Sequence, residues 1–174
     1  MNRPARVAAP LLLALAIVAG HAGCAYRLGP TSGAPAGARS LAVLPFENQT
    51  FEPRVTDSLA TALRGQLQQE GTFRLARRSE ADIVVSGVVR RIDRLEESFL
   101  PQDTRVLRDY RWQVVAHVTA IERASGRVLL DREVQGHTLL RIQPDLPSAE
   151  RQSMPLLAGN LARNITSLLV DGEW

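Results

Sequence analysis

The longest alternation of apolar and polar positions runs from Tyr110 to Ile121, where Trp112, Val114, Ala116, Val118 and Ala120 share one side. Period two is the signature of a strand with one buried face. Ile83 to Ile92 is rich in β-branched residues and reads as a second strand, with Gly87 placed for a bulge. Gly126 to Thr138 follows the turn Ala124-Ser125-Gly126 and reads as a hairpin partner, so these three stretches predict an antiparallel meander. Between the first two lies a charged connection, Asp93 to Asp109. Upstream, Leu41 to Phe46 is a short apolar run, consistent with a buried strand that Pro45 ends or confines to an edge. Glu47 to Thr50 is turn-like, and Phe73-Arg74-Leu75 starts a short strand.

Helical spacing appears twice. Pro53 opens a stretch in which Val55, Leu59, Ala62, Leu63 and Leu67 recur on one side, and Gly71 supplies the left-handed stop. Near the C-terminus, Met154, Leu157, Leu161, Ile165 and Leu168 form a second stripe. Ser148 is placed to cap it, and Pro155 either kinks the helix or marks a regular part beginning at Ser153. The economical solution is an α+β domain, with two amphipathic helices packed on one face of a roughly four-stranded mixed or antiparallel sheet. Trp112 and Met154 fall on apolar stripes and are expected in its core.

The N-terminus does not belong to that domain. Arg3 and Arg6 precede an apolar stretch, Ala8 to Gly20, and small residues follow, which is an export signal over 1–23. The one cysteine of the 174-residue chain, Cys24, stands directly after Ala22-Gly23, so no intramolecular disulfide exists. The arrangement resembles the lipobox of bacterial lipoproteins, in which the cysteine is acylated and becomes the new N-terminus. Several acyl chains anchor stably, since each buried methylene contributes about 0.8 kcal/mol. Ala25, in place of the Asp often found in lipoproteins kept in the inner membrane, favours the outer membrane by the same resemblance. Residues 24–39 are rich in Gly, Pro, Ala and Ser and read as a tether, leaving 40–174 for the folded domain.

Charge and motifs narrow the function classes. Every basic residue is Arg; once Arg3 and Arg6 leave with the signal, 19 Arg face 18 carboxylates, a net of +1. A nucleic-acid binder shows a basic excess or stripe, and that class is set aside. Motifs for a serine hydrolase, a P-loop, a dinucleotide site or a zinc protease are missing, and nothing points to a cofactor or metal. His117 and His137 lack metal-ligand spacing and are read as structural or surface residues. Glu96-Glu97 has no apolar pocket in view that would raise a pKa. The two N-x-T sequences at Asn48 and Asn164 match the glycosylation sequon, which a bacterial lipoprotein would not use. The reading is therefore of a non-enzyme.

An ordered set of segments carries a family resemblance. Cys24-Ala25-Tyr26-Arg27-Leu28 resembles the C-[GA]-Y-x-[LF] start of mature lipopolysaccharide-assembly lipoproteins of the LptE family. Leu41 to Thr50 is similar to its first strand and the following N-x-T, Leu59 to Leu67 to its first helix, and Ala81 to Val89 to its next long strand. Tyr110 to Glu122, Gly126 to Leu129 and the final helix continue the likeness over nearly all of the mature chain. The resemblance implies a lipoprotein on the periplasmic side of the outer membrane. It would plug an LptD-type β-barrel, assist its assembly and contact lipopolysaccharide on its way to the outer leaflet, without bond chemistry.

By that resemblance a basic residue precedes the strand that opens with an aromatic; Arg105 before Tyr110 is the nearest match, with Arg108 an alternative register. Guanidinium forks suit phosphate, so Arg105, with Arg108 and Arg111, is expected to meet the lipopolysaccharide headgroup. The competing reading is a solvated loop whose charges pair among themselves. Trp174 is read either as an interfacial anchor or as a loose terminus. An outer-membrane lipoprotein that activates a peptidoglycan synthase, or a secretion-assembly subunit, shares several of these segments. The short tether argues against reaching a synthase, since roughly 13 residues extend at most about 45 Å.

Overall fold

The computed structural model describes residues 37–100, 103–141 and 145–172; the side chains of 98–108 lie outside that description. Cys24, most of the tether and Trp174 likewise lie outside the described residues. The order of elements is β1 (Arg39–Val43), β2 (Glu47–Asn48), α1 (Val55–Glu70), β3 (Phe73–Leu75), β4 (Ile83–Leu100), β5 (Asp103–Glu122), β6 (Val128–Arg141) and α2 (Leu146–Val170).

The sheet is mixed, in the order β3-β1-β4-β5-β6, with β2 also paired to β4. β1 runs parallel to both neighbours, in register Arg39 to Phe73 and Leu41 to Ile83. Parallel neighbours need a long crossover, and α1 supplies the one between β1 and β3. β4, β5 and β6 form the expected antiparallel meander, with Val85 opposite Ala120 and Ala120 opposite Leu130.

Six strands replace the roughly four expected. β3 has only three residues, and β2 is a polar pair, Glu47-Asn48, that sequence chemistry reads as a turn. β1 and β2 pair with successive stretches of β4, Ile83–Val85 and Val88–Val89, and the chain between them contains Pro45, which has no N–H for a ladder. The link is held by Leu44 N donating to Val85 O and Gln49 N donating to Val89 O, each at 2.9 Å.

Asp93 to Asp109 is also not a loop. β4 continues to Leu100 and β5 resumes at Asp103, so the meander's first hairpin extends well past the core. From Arg90 to Glu97 the strand is mostly exposed and needs no apolar alternation, so its charged sequence hides it. The register shifts between Val89 and Arg91, not at Gly87. Gly87 serves a different purpose: an added Cβ would lie 2.5 Å from both Phe46 Cε1 and the His117 carbonyl oxygen. Phe46 is packed where a side chain would be.

Val55, Leu59, Leu63 and Leu67 of α1 are buried, and the helix ends on Gly71 at φ +76°, whose N–H bonds Leu67 O. α2 begins earlier than Ser148. Asp145 is its N-cap, accepting from Ser148 N at 2.9 Å, and Pro147 sits in the first turn, where a missing N–H costs nothing. The helix runs through Pro155 without interruption of its assignment. Its buried residues include Met154, Leu157, Leu161, Ile165 and Leu169. They form one hydrophobic cluster with α1's stripe, with Ile83, Val85 and Val89 of β4, and with Trp112, Val114, Ala116, Val118 and Ala120 of β5. α2 lies directly on β6 at Gly136, where a Cβ would come within 2.7 Å of Leu161 N.

Candidate functional site

Past Val89, β4 changes character to Arg90, Arg91, Asp93, Arg94, Glu96 and Glu97. The structure holds most of these charges in ion pairs. Arg90 meets Glu133 across the sheet at 3.2 Å, and Arg91 meets Asp93 at 3.1 Å. Arg94 reaches Glu150 and so ties the hairpin to α2. Arg141 meets the buried Asp109 at 3.0 Å. The exposed pairs among these contribute at most about 1 kcal/mol each, so they hold shape more than they stabilise.

Arg111 is one of these residues: half exposed, with its Nη2 at 2.6 Å from Glu97 Oε1. Arg105 and Arg108 lie on β5 with it, and their side chains fall outside the described residues. Arg111 is also the centre of a row the sequence reading missed. Leu95 of β4 pairs with Arg111, and Arg111 pairs with Leu139 of β6. Both leucines are about half exposed, at 47% and 50%. A guanidinium flanked by two open aliphatic side chains is a surface for an amphiphile, offering charge to an anion and cover to a chain. The available signal was apolar residues recurring in otherwise polar strands.

Beside the hairpin's root, the β2–α1 loop and β4 enclose a cavity of about 360 Å³ lined by Thr50, Phe51, Arg90, Arg91, Arg94 and Trp112. The N-x-T sequence shapes this loop. Asn48 Oδ1 accepts from Thr50 N at 2.9 Å and from Thr50 Oγ1 at 2.8 Å, while Asn48 Nδ2 donates to Glu52 O at 2.9 Å. The turn leaves Phe51 fully exposed. Trp112 is buried as expected, yet its indole N–H has no acceptor among the described residues. A buried donor without a partner costs about 1–3 kcal/mol.

The opposite end of the sheet is built differently. Asp82 Oδ2 accepts from Ser40 N at 2.8 Å and Ser40 Oγ at 2.7 Å. The backbone donor of Ser40 is the leading cause that holds the Asp82 carboxyl below its ordinary value, with the Ser40 hydroxyl next. Glu122 is also lowered, first by the Ser125 hydroxyl and then by Arg127 and Arg39. On the sheet's polar side, His117 pairs with Asp131 at 2.7 Å, and Gln113 bonds Gln135 at 3.0 Å. His137 donates its backbone N–H to Asn160 Oδ1 at 3.0 Å. Among the described residues, no group of three or more His, Cys, Asp or Glu is placed to hold a metal ion. None of their helices is long and apolar enough to cross a membrane.

Solved structures share the fold at low identity. Protein CT253 from Chlamydia trachomatis matches with a TM-score of 0.57 at 10% identity, over 78% of this chain and 98% of its own. Protein XCC0632 from Xanthomonas campestris matches with a TM-score of 0.56 at 12% identity, over 83% and 91%. A minor lipoprotein from Acinetobacter baumannii gives 0.50 at 13% identity, over 76% and 93%. No curated protein matches the chain. The model of the lipopolysaccharide-assembly family LptE matches residues 38–171, from the start of β1 to the end of α2, and the chain belongs to that family.

Proposed function

We propose that this lipopolysaccharide-assembly lipoprotein is anchored through acylated Cys24 at the periplasmic side of the outer membrane. Its domain seats in the lumen of an LptD-type β-barrel, assists the barrel's assembly, and contacts lipopolysaccharide during export to the outer leaflet. It acts by binding and steric gating; no bond is made or broken.

One observation carries this reading. The face of β4–β6 away from the core carries the pairs Gln113–Gln135, His117–Asp131 and Arg111–Glu97, and past the core β4 bears Arg90, Arg91, Asp93, Arg94, Glu96 and Glu97. A barrel lumen is polar, so a plug must be polar where it touches the wall. Arg105, Arg108 and Arg111 sit on the extended strand as the proposed contacts for lipopolysaccharide phosphates. The family match does not favour a synthase activator or secretion subunit.

The experiment is affinity purification of the tagged lipoprotein from detergent-solubilised outer membrane, with mass spectrometry of what accompanies it. A large β-barrel protein in equal amount is the expected result. A penicillin-binding protein, or no partner at all, overturns the proposal.

A further inference from the structure

The end of the sheet remote from the hairpin tip carries a second cavity, of about 760 Å³, lined by Arg77, Arg78, Ser79, Val84, Ile121 and Arg123. Arg77 and Arg78 come from the turn between β3 and β4, and Arg123 from the turn after β5. Val84 and Ile121 are cross-strand partners and form its apolar floor. Arg123 Nε is steadied by donating to Ala81 O at 2.7 Å. Among the described residues, none of the three guanidinium groups has an ion-pair partner, whereas the hairpin's described arginines are nearly all paired. The neighbouring carboxylate, Asp82, is hydrogen-bonded to Ser40 and feels the charge of Arg123 without forming a close ion pair with it. Three like charges gathered over an aliphatic floor call for an anion attached to an apolar body.

The chain's own course says where that ligand comes from. The described domain begins at this end: Gly37 N donates to Thr72 O at 3.0 Å, and Arg39 pairs with Glu122 at 3.0 Å. Cys24 lies 13 residues before Gly37, so an acyl anchor there keeps Gly37, at this end of the domain, within about 45 Å of the membrane. We propose that the cavity seats the phosphate headgroup of an anionic phospholipid in the leaflet that holds the anchor. Arg77, Arg78 and Arg123 grip the phosphate, and Val84 and Ile121 meet the glycerol and the first methylenes. The domain is thereby docked on the membrane by this end. The proposal rests on the anchored-lipoprotein reading above.

The test uses the full acylated chain in nanodiscs of phosphatidylcholine alone or with phosphatidylglycerol. Arginine modification by phenylglyoxal is followed residue by residue by mass spectrometry. Phosphatidylglycerol should slow modification of Arg77, Arg78 and Arg123 by about fivefold each, the weight of one basic residue at an anionic surface. Arg151 and Arg163, exposed on α2, should be unchanged. Equal rates in the two nanodiscs overturn the proposal. So does equal protection in neutral nanodiscs by inorganic phosphate, which would make this a free-phosphate site. Protection only on adding lipopolysaccharide, or a solubilised barrel protein, overturns it in favour of those ligands.

Arg77→Glu with Arg78→Glu should abolish the remaining protection at Arg123; if that variant fails to fold, the unsubstituted chain still decides. An intact mass without acyl groups defeats the anchor reading separately. Co-sedimentation of the unacylated chain with phosphatidylglycerol vesicles then decides the cavity.

Discussion

Gly136 and Asp82 show how single residues set this fold. At Gly136 the backbone of α2 occupies the space of a side chain, so Gly136→Val must push Leu161 and its helix off the sheet. A cost of about 1–3 kcal/mol is expected, read as a lower midpoint in urea unfolding with the slope unchanged. Asp82 acts through its charge. Its folded pKa lies below the ordinary 3.8, so its contribution to stability is present in full above that value. It is lost as the pH falls through the lowered folded pKa. Asp82→Asn should therefore reduce stability at pH 7 while leaving a shallower loss below about pH 4, measured by thermal melts across pH. Neither residue's role was legible beforehand. Gly136 stands in an ordinary alternation, and the partner that explains Asp82 is Ser40, 42 positions away.

Among the elements, both helices and the core halves of the meander were readable because each buries one regular stripe. Leu59, Leu63 and Leu67, like Trp112 to Ala120, were placed in the core by spacing alone, and they are buried. The reading failed where an element has no buried face. β2 is two polar residues, and β4 from Arg90 to Glu97 is mostly charged. The site suffered the same loss: Leu95, Arg111 and Leu139 come from three strands and meet only through the register. At this scale the arginines of β5 should act together. Reversing Arg105, Arg108 and Arg111 to Glu should weaken lipopolysaccharide binding by the purified protein at least tenfold, given that charge-assisted contacts contribute about 1.5–3 kcal/mol each. Unchanged binding would leave the paired, solvated surface as the right description. Circular dichroism like the parent's would show that the sheet had survived.

For the whole molecule, architecture class and family could be inferred from the order of modest segments, because each agrees with the same α+β plan. The cavity of Arg77, Arg78 and Arg123 could not. Its members come from two turns more than forty positions apart in sequence, and only sheet topology brings them together.

The ladder from Ile83 opposite Glu122 to Leu100 opposite Asp103 also makes the protein a ruler. Eighteen strand residues measure at most about 60 Å, twice the roughly 30 Å of a bilayer's hydrocarbon core. If the base is held at one leaflet as proposed, the tip stands at a height fixed by a residue count. Because side chains alternate with period two, the gauge can be shortened only in steps of two pairs without turning its faces over. Removing four pairs from the outer hairpin should lower the tip by about 13 Å and preserve the core. If tip height sets where lipopolysaccharide is received, export should fall while thermal stability holds.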